Sequence, residues 1–448
     1  MHMPAIEVGI LSSESICFRL NGKFRYAFEK EAVEGDGKAV AKRDSSLSLD
    51  LISIQQQLSN PILLEPLNEE CSFELYHVVI GIQFHWERKE TQCFKGKLKL
   101  FAENGLVTAV NILPLEDYLT SVISSEMSTT SSPEFLKAHA VISRSWLLAQ
   151  MEKGKILRKT GKYESLVHND EGYIRWYDRE EHDRFDVCAD DHCQRYQGIT
   201  QVISTQVNDA LKTTSGEVLT YNGVICDTRF YKCCGGITEK FENVWEPVIH
   251  PYLTNIACHS SSVDVYNMDL TNKENARAWI LGNPPAYCNT HDKKALSQVL
   301  KDFDQETKDF YRWEVSLTQS EIKALLFRKI GIEVGNVLDL IPVERGASGR
   351  IIRLKIAGDK RTLIIGKELE IRKALSESHL YSSAFIVEKM FTPTGNTNIP
   401  DVFVLKGAGW GHGVGLCQIG AAIMGNNGFS YKEILSHYYP FSNLNKIY

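Results

Sequence analysis

Three tight-turn dipeptides constrain this chain more than any other feature. Asn104-Gly105, Asn222-Gly223 and Gly358-Asp359 lie between runs of strand composition: KLKLFAE and LVTAVNIL, EVLTY and VICDTRFYKC, RIIRLKIA and RTLIIG. Asparagine and glycine tolerate the positive φ that a two-residue hairpin turn requires, and such turns match the twist of paired strands. The chain is therefore expected to fold back on itself as antiparallel hairpins. IEVGIL, SICFRLNG and GKLKLF add further strands before residue 112.

Helical periodicity interrupts the hairpins. PLEDYLTSVISSEM predicts a helix over 114–127, with Pro114 in the first turn, where a missing N–H does no harm. A second helix over 133–152 opens at Ser132-Pro133, and SEIKALLFRKIG reads as a third, stopped by Gly331. KELEIRKAL, QIGAAIM and YKEILSHYY are shorter helical stretches. Hairpins mixed with helices predict an α+β fold rather than a doubly wound parallel sheet. Residues 1–95 read as a mostly β segment. Residues 96–448 read as the main region, with a polar His- and Cys-bearing excursion at 153–199.

One residue breaks the first helix's pattern. Leu115, Tyr118, Leu119, Val122, Ile123 and Met127 form its apolar stripe, and Glu126 falls on that stripe, four after Val122 and three after Ile123. Glu116 and Asp117 suit the helix N-terminus, but Glu126 has no such reason to be there. A carboxylate on a greasy face tends to keep its proton, and a shift of two pKa units corresponds to about 2.7 kcal/mol. Glu126 is therefore either a helix-end residue turned to solvent or an arginine, or a catalytic acid poised by desolvation.

Three further sets of residues could carry chemistry. Arg144 lies beside apolar neighbours on the second helix, as a snorkelling cation or as a residue that binds substrate or orders the site. His182, Cys188 and Cys193, with His192 adjacent, offer the imidazole and thiolate ligands zinc favours, and Asp183, Asp186 or Asp190 could add a fourth. The spacing fits a reactive or structural thiol pair as well. GWGHGVGLCQIGAA surrounds His412 with glycines set too closely for a dinucleotide fingerprint. Cys417 there is a packed thiol or, with His412, the nucleophile of a cysteine amidase.

Composition narrows the partners. A formal charge of −6 without a basic stripe speaks against nucleic acid, and no apolar run is long enough to span a bilayer. MHMPAIEVGI lacks a secretory pattern, so either the protein stays inside or a signal has been removed. Eleven cysteines, an odd number, cannot all pair. Most are expected to be small core residues, Cys17 and Cys226 among them.

LPLEDYLTSVISSEMSTTSSPEFLKAHAVISRSWLL resembles the signature region of the stage II sporulation protein D (SpoIID/LytB) family. CQRYQG, SGEVLTYNG, GGITEKFENVW, Ser348–Arg350 and GWGHGVGLCQIGA continue the likeness in family order to the C-terminus. The resemblance implies a SpoIID-like fold in which hairpins and helices surround a substrate cleft. It implies a peptidoglycan lytic transglycosylase that leaves a 1,6-anhydro end, or a non-catalytic amidase enhancer that binds the wall. It puts the catalytic glutamate at Glu126, a structural zinc at His182, Cys188 and Cys193, and glycan-binding roles at Arg144, Gln194, Tyr196, His412 and Gln418. Peptidoglycan strands, a cell-wall amidase as partner and a place in the cell envelope follow from the same likeness. Cys233, Cys234 and Cys417 depart from it, standing where the family usually has serine.

Overall fold

The computed structural model describes residues 3–448 except 27–31, 43–45, 52–53, 59–60, 82–86, 129, 162–164, 169–171, 177–182, 191, 201–203, 260–266, 300–309 and 392–397. Its elements are mixed α+β. The largest sheet holds the strands up to Pro114, and it forms because side chains alternate in and out along each strand. In Ser15–Tyr26, for example, Ile16, Phe18 and Leu20 are buried while Cys17 and Arg19 are exposed. Cys17 therefore faces outward, which corrects the expectation of a core thiol; Cys226 is buried as expected.

Asn104-Gly105 turns Lys97–Glu103 into Leu106–Pro114, with φ of 52° and 79°. Leu106–Pro114 then pairs antiparallel with Ala5–Ser13, so strands from both sides of residue 95 share one sheet. Asn222-Gly223 turns Glu217–Tyr221 into Val224–Ile225 as read. Ile351–Gly358 also pairs with Thr362–Gly366, but Ala357 faces Thr362, so that turn is a four-residue loop, 358–361, and not the tight dipeptide expected at Gly358-Asp359.

The first helix spans Leu115–Glu126 and buries Leu115, Tyr118, Leu119, Val122 and Ile123. The second runs over Pro133–Thr160, capped by the Ser132 side chain, and continues eight residues past the expected end. Lysine, leucine and arginine sustain it there, and Gly154 weakens a helix by about 1 kcal/mol without ending it. The 153–199 excursion is also more ordered than its polarity suggested. Gly172–Arg175 joins a sheet beside Thr362–Gly366, and Val187–Cys188 runs parallel to Val8–Gly9.

Two contacts position the C-terminal glycine loop. Phe230–Tyr231 pairs in parallel with Leu416–Cys417, and Cys233 bridges to Trp410. Buried Arg350 donates to Gly411 O, and a Cβ at Gly413 would lie 2.5 Å from that guanidinium. The glycine at 413 is therefore a packing requirement. One apolar core extends from Ile6 in the first sheet to Tyr439 beyond this loop, and a second gathers Trp313 to Leu405.

Candidate active site

Glu126 is the last residue of its helix, and the Met127 N–H closes the final turn on Ile123 O. Its side chain is half-buried, and Oε1 accepts the Arg195 N–H at 3.3 Å. Burial alone would raise this carboxyl. The Arg195 and Lys232 charges, with the Arg195 N–H, outweigh it and hold Glu126 below the usual glutamate value. This corrects the expectation of a carboxyl kept protonated by apolar neighbours. Two cations from distant parts of the chain, invisible in the helix's own periodicity, reverse the sign.

His139 lies behind the carboxylate on the second helix and is fully buried. Its Nδ1 is 3.1 Å from Ser143 Oγ, and its Nε2 is 3.4 Å from the Gln418 amide nitrogen. An amide N–H can only donate, so Nε2 accepts and Nδ1 carries the proton. Burial lowers this imidazole to about 4, so it is neutral at physiological pH. Its ring packs edge-on to Phe230, centroids 4.7 Å apart.

The CQRYQG run crosses the first helix as a strap. Gln194 accepts from Tyr118 Oη and donates to Ser143 O. The Gln197 N–H reaches Ser121 Oγ. Tyr196 stacks on Tyr118 at 5.2 Å and donates to Asn111 Oδ1 at 2.5 Å. Gln194 and Tyr196 are each 1% exposed. They hold Arg195 against Glu126 from below and do not line an open groove. Gly198 ends the strap at φ 59°, where a Cβ would meet Cys93 O at 2.2 Å.

Of the other expected ligand-binding residues, Arg144 and Gln418 are also internal and His412 is half-buried. Arg144 is fully buried and doubly bonded to Glu116 at 2.9 and 2.8 Å, with Nη1 on Ala140 O and Glu217 O. It ties the two helices to the Glu217–Tyr221 strand. His412 accepts the Val414 N–H at Nδ1 and donates from Nε2 to Phe230 O. Both ring nitrogens are thus committed to backbone, and no lone pair is left to activate Cys417. Gln418 connects the glycine loop to His139, so the structure brings that loop and Glu126 to one place.

Comparison with known proteins finds relatives over most of the chain. A model described as "Stage II sporulation protein" matches residues 103–221, and a domain of unknown function (DUF8618) matches 239–415. The chain is 23% identical over 347 residues to stage II sporulation protein D of Bacillus subtilis, covering 75% of this chain and 76% of that one. Residues 103–221 are thus similar to the stage II sporulation protein family, and the likeness to stage II sporulation protein D extends over three quarters of the chain. An uncharacterised protein of Brachyspira hyodysenteriae is 26% identical over 346 residues, 77% of this chain and 70% of its own. An amidase enhancer of B. subtilis is 24% identical over 258 residues, 54% of this chain and 33% of its own.

The excursion also gathers possible metal ligands. Cys188, His192 and Cys193 bring their ligand atoms within 4.8 Å of one another. His182 lies outside the described residues. Asp186, one of the acids considered as a fourth ligand, accepts the Glu7 N–H at 3.0 Å. Two thiols and an imidazole at this separation fit a tetrahedral zinc.

Sequence reasoning missed His139, Lys232 and Arg195. His139 could have been found as Glu126 was, being a polar residue three after Leu136 on a buried helix face. Lys232 and Arg195 stand in irregular segments, where no periodicity marks them.

Proposed function

We propose that this protein is a peptidoglycan lytic transglycosylase with Glu126 as its single acid and base. The observation that carries the reading is the placement of Glu126: a half-buried carboxylate at a helix end, faced by Lys232 and Arg195. Protonated Glu126 gives its proton to the glycosidic oxygen between N-acetylmuramic acid and N-acetylglucosamine. The muramic C6 hydroxyl attacks the anomeric carbon and passes its own proton back to the carboxylate, leaving a 1,6-anhydro end. No water enters, so the second carboxyl that glycosidases use is not needed. Lys232 and Arg195 stabilise the carboxylate that forms on proton donation, which makes Glu126 a stronger acid. Arg144, Gln194, Tyr196, His412 and Gln418 serve the glycan through the residues they position. A zinc ion held by Cys188, Cys193 and an imidazole of His182 or His192 would supply a rigid anchor for the strap. The substrate places the protein in the cell envelope, and a cell-wall amidase is the fitting partner, in keeping with the amidase-enhancer relative. No helix of the described residues is long and apolar enough to cross a membrane.

The direct test is digestion of peptide-free glycan strands followed by mass analysis, with 1,6-anhydro ends as the expected product. Intact strands that remain bound to the protein would favour the non-catalytic wall-binding reading. One feature favours that reading: the neighbouring cations hold the Glu126 carboxyl below its usual value and so toward its ionised form. The same feature gives a pH prediction. Only the protonated fraction of Glu126 can act as acid, so kcat/KM should fall about tenfold per pH unit above its lowered pKa. Lys232→Met removes one of the charges that lower it, so the falling limb should move to higher pH, and Lys232→Arg should restore it. An unmoved limb in Lys232→Met would show that the titrating acid is not Glu126.

A further inference from the structure

Two of the three cysteines that depart from the family's usual serines are not scattered replacements. Cys234 and Cys417 meet Cys258 and Cys288 in the interior, and all four Sγ atoms lie within 4.8 Å of one another. Each of the four residues is at most 3% exposed. We propose that Cys234, Cys258, Cys288 and Cys417 form a closed tetrathiolate site for one zinc ion, separate from the Cys188/Cys193 site. Four neutral thiols would bind the ion and release four protons, leaving a zinc–sulfur centre of net charge −2 with no redox change.

The backbone builds this cage from four distant segments. Parallel pairing of Phe230–Tyr231 with Leu416–Cys417 brings the Cys233-Cys234 turn to the start of the Gln418–Asn426 helix. The Cys258 N–H donates to Gly236 O, and Tyr287 N–H donates to Cys258 O, which sets Cys288 alongside. Gly420 lets the helix come close: a Cβ there would lie 2.7 Å from Cys258 Sγ and 2.2 Å from Tyr438 Oη.

Two features separate a metal cage from packed thiols. The first is the hydrogen bonding. Cys417 Sγ accepts the Cys234 and Gly420 N–H groups at 3.3 and 3.4 Å, and Cys234 Sγ accepts the Gly236 N–H at 3.3 Å. Tyr438 Oη lies 3.3 Å from Cys258 Sγ and can add a fourth donor. A thiol is a weak acceptor, whereas donors converging on sulfur suit thiolates and spread the charge of a zinc centre. The second is size. Zn–S bonds of about 2.3 Å in a tetrahedron hold sulfurs about 3.8 Å apart. The observed spacing, with Cys234 and Cys288 at 3.3 Å, suits one ion and is too tight to enclose an iron–sulfur cluster. Four soft ligands and no open position mark a structural zinc site and not a catalytic one.

The cage would act on the active site through one residue. Cys417 caps the helix that begins at Gln418, and Gln418 holds His139. Cys233 is a buried thiol next in the chain to Cys234, so it is a ready substitute for one lost ligand. The test therefore removes two ligands at once.

Full-length Cys188→Ser/Cys193→Ser protein is purified without chelator, so that its metal content reads the buried cage alone. Elemental analysis should give about one zinc per folded chain, and further substitution of Cys258→Ser/Cys288→Ser should remove it. Cys233→Ser should keep it. Cobalt(II) exchanged into the Cys188→Ser/Cys193→Ser protein should show the charge-transfer and d–d bands of a tetrahedral tetrathiolate, a reading independent of whether the four-cysteine variant folds. Folded Cys188→Ser/Cys193→Ser protein with no zinc and no cobalt spectrum would overturn the proposal. So would recovery of a Cys234–Cys288 disulfide by non-reducing peptide mapping. Neither result depends on glycan cleavage, so the site stands or falls apart from the transglycosylase reading.

Discussion

Glu126→Gln is expected to abolish release of 1,6-anhydro ends, with a loss of about a thousandfold or more in turnover. The substitution keeps the shape of the side chain and an oxygen that can accept the Arg195 N–H at 3.3 Å. It takes away the ability to give a proton and receive one back. Thermal unfolding should move little, because the first helix gains its stability from Leu115, Tyr118, Leu119, Val122 and Ile123, all fully buried. Retention on glycan strands should also persist. A measurement of anhydro ends by mass analysis, beside unfolding and pull-down on denuded strands, separates the three effects. Cleavage that survives in Glu126→Gln removes the residue from the chemistry. Lost cleavage together with lost folding would mean that the carboxylate is chiefly a counter-charge for Lys232 and Arg195.

That second outcome is a real alternative because the surroundings of Glu126 serve two opposed demands. The cations make the protonated acid strong, yet they also make it scarce near neutral pH. A glycan strand laid over the carboxylate would remove water from it and strengthen the burial effect, which acts in the raising direction. The balance between burial and charge therefore shifts when substrate arrives. Lys232 and Arg195 set where it starts.

Local features of the fold were legible in the sequence, and long-range ones were not. Asn104-Gly105 and Asn222-Gly223 adopt the positive φ read from their composition, because such a turn depends only on its own residues. Gly331 ends the Gln319–Ile330 helix in a left-handed conformation for the same reason. Glu126 stood out because helix periodicity is also local. Its protonation state did not follow, since Arg195 and Lys232 lie 69 and 106 residues further along the chain (195 − 126 and 232 − 126). Arg144, Gln194 and Tyr196 stood out in the sequence, but their burial inside the fold is a fact that one-dimensional spacing does not carry. Cys234, Cys258, Cys288 and Cys417 have no motif spacing, and only the folded backbone brings their sulfurs together.

Acid should destabilise the protein steeply, starting near pH 6.5. Burial favours the neutral form of five of the described histidines, His250 and His437 among them, and three are shifted far. His139 is lowered to about 4 by burial, with Lys232 adding to the effect and Glu126 opposing it. His379 is lowered to about 3 by burial and by Arg372, Lys373 and Lys329. His412 is lowered well below its ordinary value by burial and by Arg229, Arg372 and Arg350. In each case the unfolded chain takes up a proton near pH 6.5 while the folded one refuses it, so stability falls as pH drops. At up to about 1.36 kcal/mol per pH unit per group, His139 and His379 together cost on the order of 5 kcal/mol between pH 6.5 and 4. That is comparable with the whole stability of a typical domain, about 5–15 kcal/mol, and His412 acts in the same direction. Denaturant unfolding at pH 7.5, 6 and 5 should give a falling free energy with an uptake of two or more protons, and His379→Gln should lessen the slope by one. A stability that stays level from pH 7 to 5 would show that these rings are already charged in the fold. If Glu126 cleaves glycan as proposed, that cleavage would gain from acid over the same range in which the scaffold loses by it. A working pH would then be bounded above by the carboxyl and below by the histidines, and His139, which lies behind the one and belongs to the other, would couple the two limits.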